Sequence, residues 1–172
     1  AAAVRQRLLQ RRPGAPLVLR LMNRIHIHLA PALSVFLRKR VERIEVEVTD
    51  EGGASLPLEE GIRRALALIL SLGPGSGKAM LIGNGGSAAL ASHAQNDLCK
   101  AAGIRAIVFT EQPLMTALSN DDGYASVFEK PVQLWAEKGD VLIAISSSGR
   151  SENILRAVQT SLSRGCRVVT FS

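Results

Sequence analysis

Four short apolar runs, separated by segments long enough to form helices, constrain the fold of this chain more than any other feature. The runs lie at 79–83, 106–110, 140–146 and 167–172. Alternation of strand-length and helix-length segments is typical of a parallel sheet with right-handed crossovers. The sequence therefore predicts an α/β fold, a three-layer doubly wound parallel sheet of the flavodoxin or Rossmann-like type.

The composition favours the same fold class. Apolar residues make up 47% of the chain and aromatic residues only 3%. The core must therefore be built from Ala, Leu, Ile and Val, as where helices pack on a buried parallel sheet. A further helix is predicted over about 57–72, with Pro57 and two acids in its first turn. The stretch 49–55 is predicted to be a linker.

The N-terminal part of the chain differs in charge from the rest. Nine basic residues precede the first acid, Glu42, and exceed the formal net charge of +6, so the remainder is mildly acidic. At most one helix is expected there, around 20–43. We predict a basic segment and linker at 1–56, partly helical or disordered, and an α/β domain at 57–172. Without a recognisable motif, a solvated segment is favoured over a nucleic-acid partner.

Cysteine content and hydropathy indicate the compartment. Cys99 and Cys166 lie far apart, with no CxxC pair, which argues against a disulfide scaffold or a structural zinc. No run of about 18 apolar residues and no secretory signal is seen. We therefore expect a cytoplasmic protein with no membrane partner.

The segment GNGGS at 83–87 is the first candidate site. A strand ends at Gly83, glycines permit a tight turn, and Ser87 is predicted to cap the next helix. Such a joint directs backbone N–H groups at an anion. Taken alone, Gly83, Gly85 and Ala88 also fit a dinucleotide-binding turn, with Glu111 as the ribose-binding acid.

The segment SSSGRS at 146–151 distinguishes these two interpretations. It follows the third strand and carries four hydroxyls around one glycine, on Ser146, Ser147, Ser148 and Ser151. Nicotinamide binding needs no such loop, whereas a phosphate can use each hydroxyl and the N-terminal dipole of the following helix. The sequence therefore favours phosphate binding over a merely capped turn.

Two further segments are interpreted as structural. The stretch 73–79 misses the P-loop spacing and precedes a strand, so it is predicted to be a turn with Lys78 solvated. Tyr124, Phe128 and Trp135 are spaced for the buried face of a helix kinked at Pro131, and are predicted to be core or subunit contacts.

Three ordered motifs carry a family resemblance. GNGGS at 83–87, LSNDDGYASVF at 118–128 and GDVLIAISSSGRSENILRAV at 139–158 resemble the motifs of phosphoheptose isomerases in the sugar isomerase (SIS) family. The resemblance implies a five-stranded parallel sheet, of which this chain lacks the last strand and the C-terminal helix. It also implies a homodimer or homotetramer with sites at subunit contacts. The implied reaction converts sedoheptulose 7-phosphate to D-glycero-D-manno-heptose 7-phosphate.

The resemblance also implies the site residues. The residues expected to bind the sugar and its phosphate are Asn84, Gly85, Gly86, Ser87, Asn120, Asp121, Ser146, Ser147, Ser148 and Ser151. The expected base is Asp97, where the isomerases have Glu, and a carboxylate one methylene shorter reaches about 1 Å less far.

The implied reaction requires no cofactor. Because His93 and Asp97 lie where the family has metal ligands, a zinc ion is an alternative. A further alternative is that these two residues only pair on a helix surface. For the whole protein, the competing hypothesis is a non-catalytic phosphosugar-binding module with a regulatory role.

Overall fold

The computed structural model describes residues 47–50, 52–73 and 75–172, so the predicted helix around 20–43 lies outside the described residues. The described chain forms two compact units, one spanning Ile62–Ser172 and a smaller one that ends at Gly61. The predicted domain boundary between residues 56 and 57 stays a prediction.

The smaller unit contains a short antiparallel hairpin where a linker was expected. Strand β1 is Val48–Thr49 and strand β2 is Ser55–Leu56. The Asp50 carboxylate oxygen accepts the N–H groups of Gly52 and Ala54, both at 2.9 Å. The Asp50 side chain thus closes the turn locally, and the linker assignment of 49–55 stays a prediction.

The remaining elements alternate as the sequence predicts. In chain order they are α1 Leu58–Leu70, β3 Ala79–Gly83, α2 Gly86–Asp97, β4 Ala106–Val108, α3 Gln112–Asp121, α4 Glu129–Trp135, β5 Val141–Ile145, α5 Glu152–Ser163 and β6 Arg167–Phe171. A π-helical turn at Leu98–Ala102 extends α2, and a 3-10 turn at Tyr124–Ser126 precedes α4. Among the described residues, no helix is long and apolar enough to cross a membrane.

The four strands β3 to β6 form one parallel sheet in the order β4-β3-β5-β6, which confirms the predicted fold class. Side chains of β3 alternate between two cores: Met80 and Ile82 pack in one, Ala79 and Leu81 in the other. Helices cover both faces of a parallel sheet, which is why its strands read as continuous apolar runs.

The turn before β3 holds an ion pair where a solvated lysine was predicted. The Lys78 ammonium lies 2.6 Å from a carboxylate oxygen of the fully buried Asp140. The same carboxylate accepts the backbone N–H groups of Lys78 and Glu137. Lys78 is therefore not solvated, because a buried carboxylate needs a partner charge and hydrogen bonds.

The aromatic residues around α4 only partly follow their prediction. Phe128 is fully buried in the core, but Tyr124 and Trp135 are about half exposed. Helix α4 begins at Glu129, so Pro131 lies in its first turn, where proline is tolerated and makes no kink. The core prediction is wrong for Tyr124 and Trp135, and their role in subunit contact stays a prediction.

Candidate functional site

The sheet brings the two predicted loops together. Gly83, the last residue of β3, lies opposite Ile145, the last residue of β5. The glycine loop (84–86) and the serine loop (146–151) therefore leave the same edge of the sheet, side by side. Each loop leads directly into a helix, α2 and α5 respectively. Adjacent loops at the carboxyl edge of a parallel sheet are where ligands bind in folds of this kind.

The glycine loop depends on glycine at two points. A Cβ added to Gly83 would lie 2.7 Å from the carbonyl carbon of Ser87, so the strand and helix can approach only without a side chain. Gly85 has a φ of +52°, in the left-handed region, and occupies the N-cap position of α2. The predicted Ser87 cap is therefore wrong: Ser87 lies inside the helix, and its N–H donates to the carbonyl of Asn84 at 2.9 Å.

The serine loop leaves hydroxyls unused. The Ser146 N–H donates to the Phe171 carbonyl at 2.8 Å, and the Gly149 N–H closes a turn onto the Ser146 carbonyl at 3.1 Å. The Ser146 Oγ is buried and has no hydrogen-bond partner among the described residues. Ser151 occupies the N-cap position of α5 but makes no side-chain cap bond. Both hydroxyls are therefore available to a ligand.

The electrostatics of the serine loop favour an anion. The N-terminus of α5 carries partial positive charge and backbone N–H groups. Arg150, exposed between Gly149 and Ser151, is the only cation of the loop, and the described part of the chain offers its guanidinium no hydrogen-bond partner. The backbone N–H of Arg150 donates to the Ser148 Oγ at 3.2 Å. Sequence reasoning missed Arg150, although its place within the serine motif was a visible signal.

A side-chain network links the glycine loop to the serine-loop helix. The Asn84 and Asn153 amides donate to each other, at 3.1 and 2.9 Å, and the Tyr124 hydroxyl donates to Asn84 Oδ1 at 2.9 Å. Asn153 is buried, on the first turn of α5. Sequence reasoning missed Asn153 and Tyr124, although both belong to the motifs that carry the resemblance.

Asn120 and Asp121 are exposed at the end of α3, a few residues before Tyr124. The Asn120 amide donates to the Asp121 carboxylate at 2.7 Å. No hydrogen bond within the described residues joins either side chain to the two loops. Their assignment to the sugar stays a prediction.

His93 and Asp97 lie on an exposed face of α2. The His93 Nε2 is 3.5 Å from an Asp97 carboxylate oxygen, and both side chains are more than half exposed. Asp97 is the last residue of α2, about 16 Å along the helix from Gly86 at 1.5 Å per residue. The Asp97 of one chain is therefore remote from that chain's own glycine loop, and its role as a base stays a prediction that requires a site shared between subunits.

His93 and Asp97 supply too few ligands for a zinc site. Protein zinc sites use three or four side-chain ligands. His93 and Asp97 supply two, and the described residues contain no group of three or more His, Cys, Asp or Glu side chains that could hold a metal. The described residues of a single chain therefore do not fit zinc.

A parallel α/β domain with a glycine loop and a serine loop side by side at its carboxyl edge has the architecture of anion-binding α/β domains. The family model described as the SIS domain matches residues 54–172, and the chain belongs to this family. The resemblance seen in the sequence is thereby confirmed.

Similar proteins point to one branch of that family. The chain is 44% identical over 98 residues to a phosphoheptose isomerase of Nitratiruptor sp., covering 54% of this chain and 52% of the relative. It is 40% identical over 112 residues to a phosphoheptose isomerase of Burkholderia pseudomallei, covering 62% and 56%. The chain thus spans about half the length of the curated relatives it matches.

Solved structures agree with these relatives. The phosphoheptose isomerase from Neisseria gonorrhoeae matches with a TM-score of 0.64 at 30% identity, over 90% of this chain and 74% of that chain. A phosphoheptose isomerase from Francisella tularensis matches with a TM-score of 0.60 at 32% identity, over 63% and 59%.

Proposed function

We propose that this domain binds the phosphate of a sugar phosphate in the serine loop. The observation that carries the proposal is the buried Ser146 Oγ, which has no partner in the described part of the chain. Leaving a buried hydroxyl unsatisfied costs about 1–3 kcal/mol. A compact anion supplies several acceptor oxygens at once, and can engage Ser147, Ser148 and Ser151 together with Ser146.

We further propose that the protein is an isomerase acting on sedoheptulose 7-phosphate to give D-glycero-D-manno-heptose 7-phosphate. The support is the similarity to phosphoheptose isomerases. Aldose-ketose isomerisation needs a base that moves a proton between adjacent carbons through an enediol. In our proposal Asp97 is this base, reaching the site of a neighbouring subunit in a homodimer or homotetramer.

We place this reaction in the cytoplasm. The two cysteines, Cys99 and Cys166, are both free thiols. Free thiols persist in a reducing compartment, whereas secreted proteins tend to pair them.

The binding proposal is tested by calorimetric titration with inorganic phosphate and with sedoheptulose 7-phosphate. Ser146→Ala should weaken both ligands about ten- to hundredfold, since a hydrogen bond to a charged group contributes about 1.5–3 kcal/mol. Ser163→Ala is the matched control, because Ser163 is exposed at the far end of α5 and bonds only within its helix. Equal affinities in wild type and Ser146→Ala would refute the site.

A second candidate function is a phosphosugar-binding module without catalysis. It is favoured by the exposed pairing of His93 with Asp97 at the end of α2 that lies away from the glycine loop of the same chain. Turnover of sedoheptulose 7-phosphate by the oligomer, lost in Asp97→Asn while phosphate binding remains, would select the enzyme. Phosphate binding without turnover, unchanged by Asp97→Asn, would select the module.

A further inference from the structure

The side-chain network at the mouth of the site has a fixed hydrogen-bond polarity. It starts at the Ile154 backbone N–H, which lies 3.0 Å from Asn153 Oδ1 and also 3.0 Å from the Ser151 carbonyl. A backbone N–H can only donate, so the Asn153 atom facing it must be the oxygen and not the amide nitrogen. This contact orients the buried Asn153 amide.

The orientation of the Asn153 amide determines which atoms of Asn84 and Tyr124 donate and which accept. Because Asn153 Nδ2 faces Asn84, the atom it meets must be the acceptor Oδ1, 2.9 Å away. The Tyr124 hydroxyl lies 2.9 Å from the same oxygen and must therefore donate its only proton there. Two donors now occupy both lone pairs of Asn84 Oδ1.

Some hydrogen-bonding groups of the network are not used within it and are free for a ligand. Asn84 Nδ2 donates one N–H to Asn153 Oδ1 at 3.1 Å, which leaves one N–H. The Tyr124 oxygen, on a side chain 53% exposed, has given its proton and keeps only lone pairs. Apart from the second N–H of Asn153, which is on a buried side chain, the network therefore offers a ligand one donor and one acceptor, with neither able to reverse its role.

We propose that Asn153 is a positioning residue that orients Asn84, and that Asn84 and Tyr124 present this donor and acceptor pair to the hydroxylated part of the ligand. A sugar hydroxyl can accept from Asn84 Nδ2 or donate to the Tyr124 oxygen, whereas inorganic phosphate, held in the serine loop, uses neither. The inference rests on the proposed phosphosugar function. It adds that discrimination for the sugar lies in a network distinct from the serines that bind the phosphate.

The test compares two ligands in wild type, Tyr124→Phe and a control. Tyr124→Phe removes the hydroxyl from a half-exposed side chain and should weaken sedoheptulose 7-phosphate about three- to tenfold in calorimetry, with inorganic phosphate unchanged. The control is Thr116→Val, which removes an exposed hydroxyl that bonds only within α3 and should leave both affinities unchanged. In NMR spectra, Tyr124→Phe should also shift the two Asn84 side-chain amide protons.

The outcomes separate this inference from the function on which it rests. If wild type binds neither ligand, the proposed function fails and the inference fails with it. If wild type binds inorganic phosphate and sedoheptulose 7-phosphate, but Tyr124→Phe weakens both equally or neither, the phosphate site stands and the proposed role of the network in sugar binding is overturned. Loss of sugar phosphate affinity alone, together with the amide shift, supports it.

Discussion

Charge at the serine loop depends on a single residue. Ser146, Ser147, Ser148 and Ser151 supply neutral hydroxyls, and the helix N-terminus supplies only partial charge. Arg150 adds the one full positive charge, and no group in the described residues competes for its guanidinium. A doubly charged phosphate would therefore draw this side chain into the site.

Replacing Arg150 should test that charge directly. We expect Arg150→Gln to weaken inorganic phosphate about three- to tenfold at low salt, with a smaller effect at high salt because exposed charges are screened. Calorimetric titrations at two ionic strengths measure this. Lys138→Gln makes the same change of charge near the start of β5, at the opposite end of that strand, and should have little effect. Equal losses in the two variants would assign the effect to net charge alone.

A second residue-level prediction concerns pH. Burial, and next the negative charge of Asp140, raise the pKa of the Cys166 thiol. The Cys166 thiol therefore keeps its proton in the folded protein at pH values above about 8.5, where the thiol of the unfolded chain loses it. Folding then takes up a proton, so the free energy of unfolding falls as the pH rises beyond that value. Urea unfolding of wild type and Cys166→Ala should give a stability difference that is constant below about pH 8 and shifts against wild type above it. A difference independent of pH up to 10 would contradict this.

At the scale of elements, the joint between β3 and α2 sets the shape of the glycine loop. Gly83 lies so close to the backbone of Ser87 that no side chain fits between them. The loop that carries Asn84 therefore depends on a contact between a strand and the helix that follows it.

Gly83→Ala should destabilise the fold by about 1–3 kcal/mol, the usual cost of overpacking. Gly86→Ala is the matched control, because an added Cβ there meets nothing within 4 Å and alanine favours the first turn of a helix. Urea unfolding of both variants measures the difference. Equal stability would mean that the joint relaxes freely.

Elements were predictable from the sequence where burial leaves a periodic trace. Strand β5 was found because both faces of the sheet are covered, which makes the run continuously apolar. The predicted run at 106–110 forms a shorter strand, β4, since it pairs only with the first three residues of β3 at the sheet edge. Contacts between distant polar residues leave no such periodic pattern. Lys78 binds Asp140, and Asn84 binds Asn153, although the members of each pair are more than 60 residues apart in the sequence.

At the scale of the whole molecule, the distance between Asp97 and the glycine loop has a consequence for assembly. A base about 16 Å along α2 from Gly86 cannot serve the loops of its own chain. The exposed face of α2 that carries His93 and Asp97 also carries Leu90, which is 61% exposed. An exposed leucine beside small side chains is suited to contact with a second copy of the chain.

We therefore expect the protein to associate through α2, with Leu90 in the contact. Leu90→Glu should convert a dimer or tetramer to a monomer at tens of micromolar in light scattering, because it places a charge in an apolar interface. If Asp97 serves a neighbouring subunit, the same variant should lose isomerase activity while inorganic phosphate still binds the serine loop. Leu134→Glu, at a side chain 78% exposed on α4, is the control and should remain associated. An associated Leu90→Glu would exclude α2 as the contact, and a monomeric wild type would remove the shared site and with it Asp97 as the base.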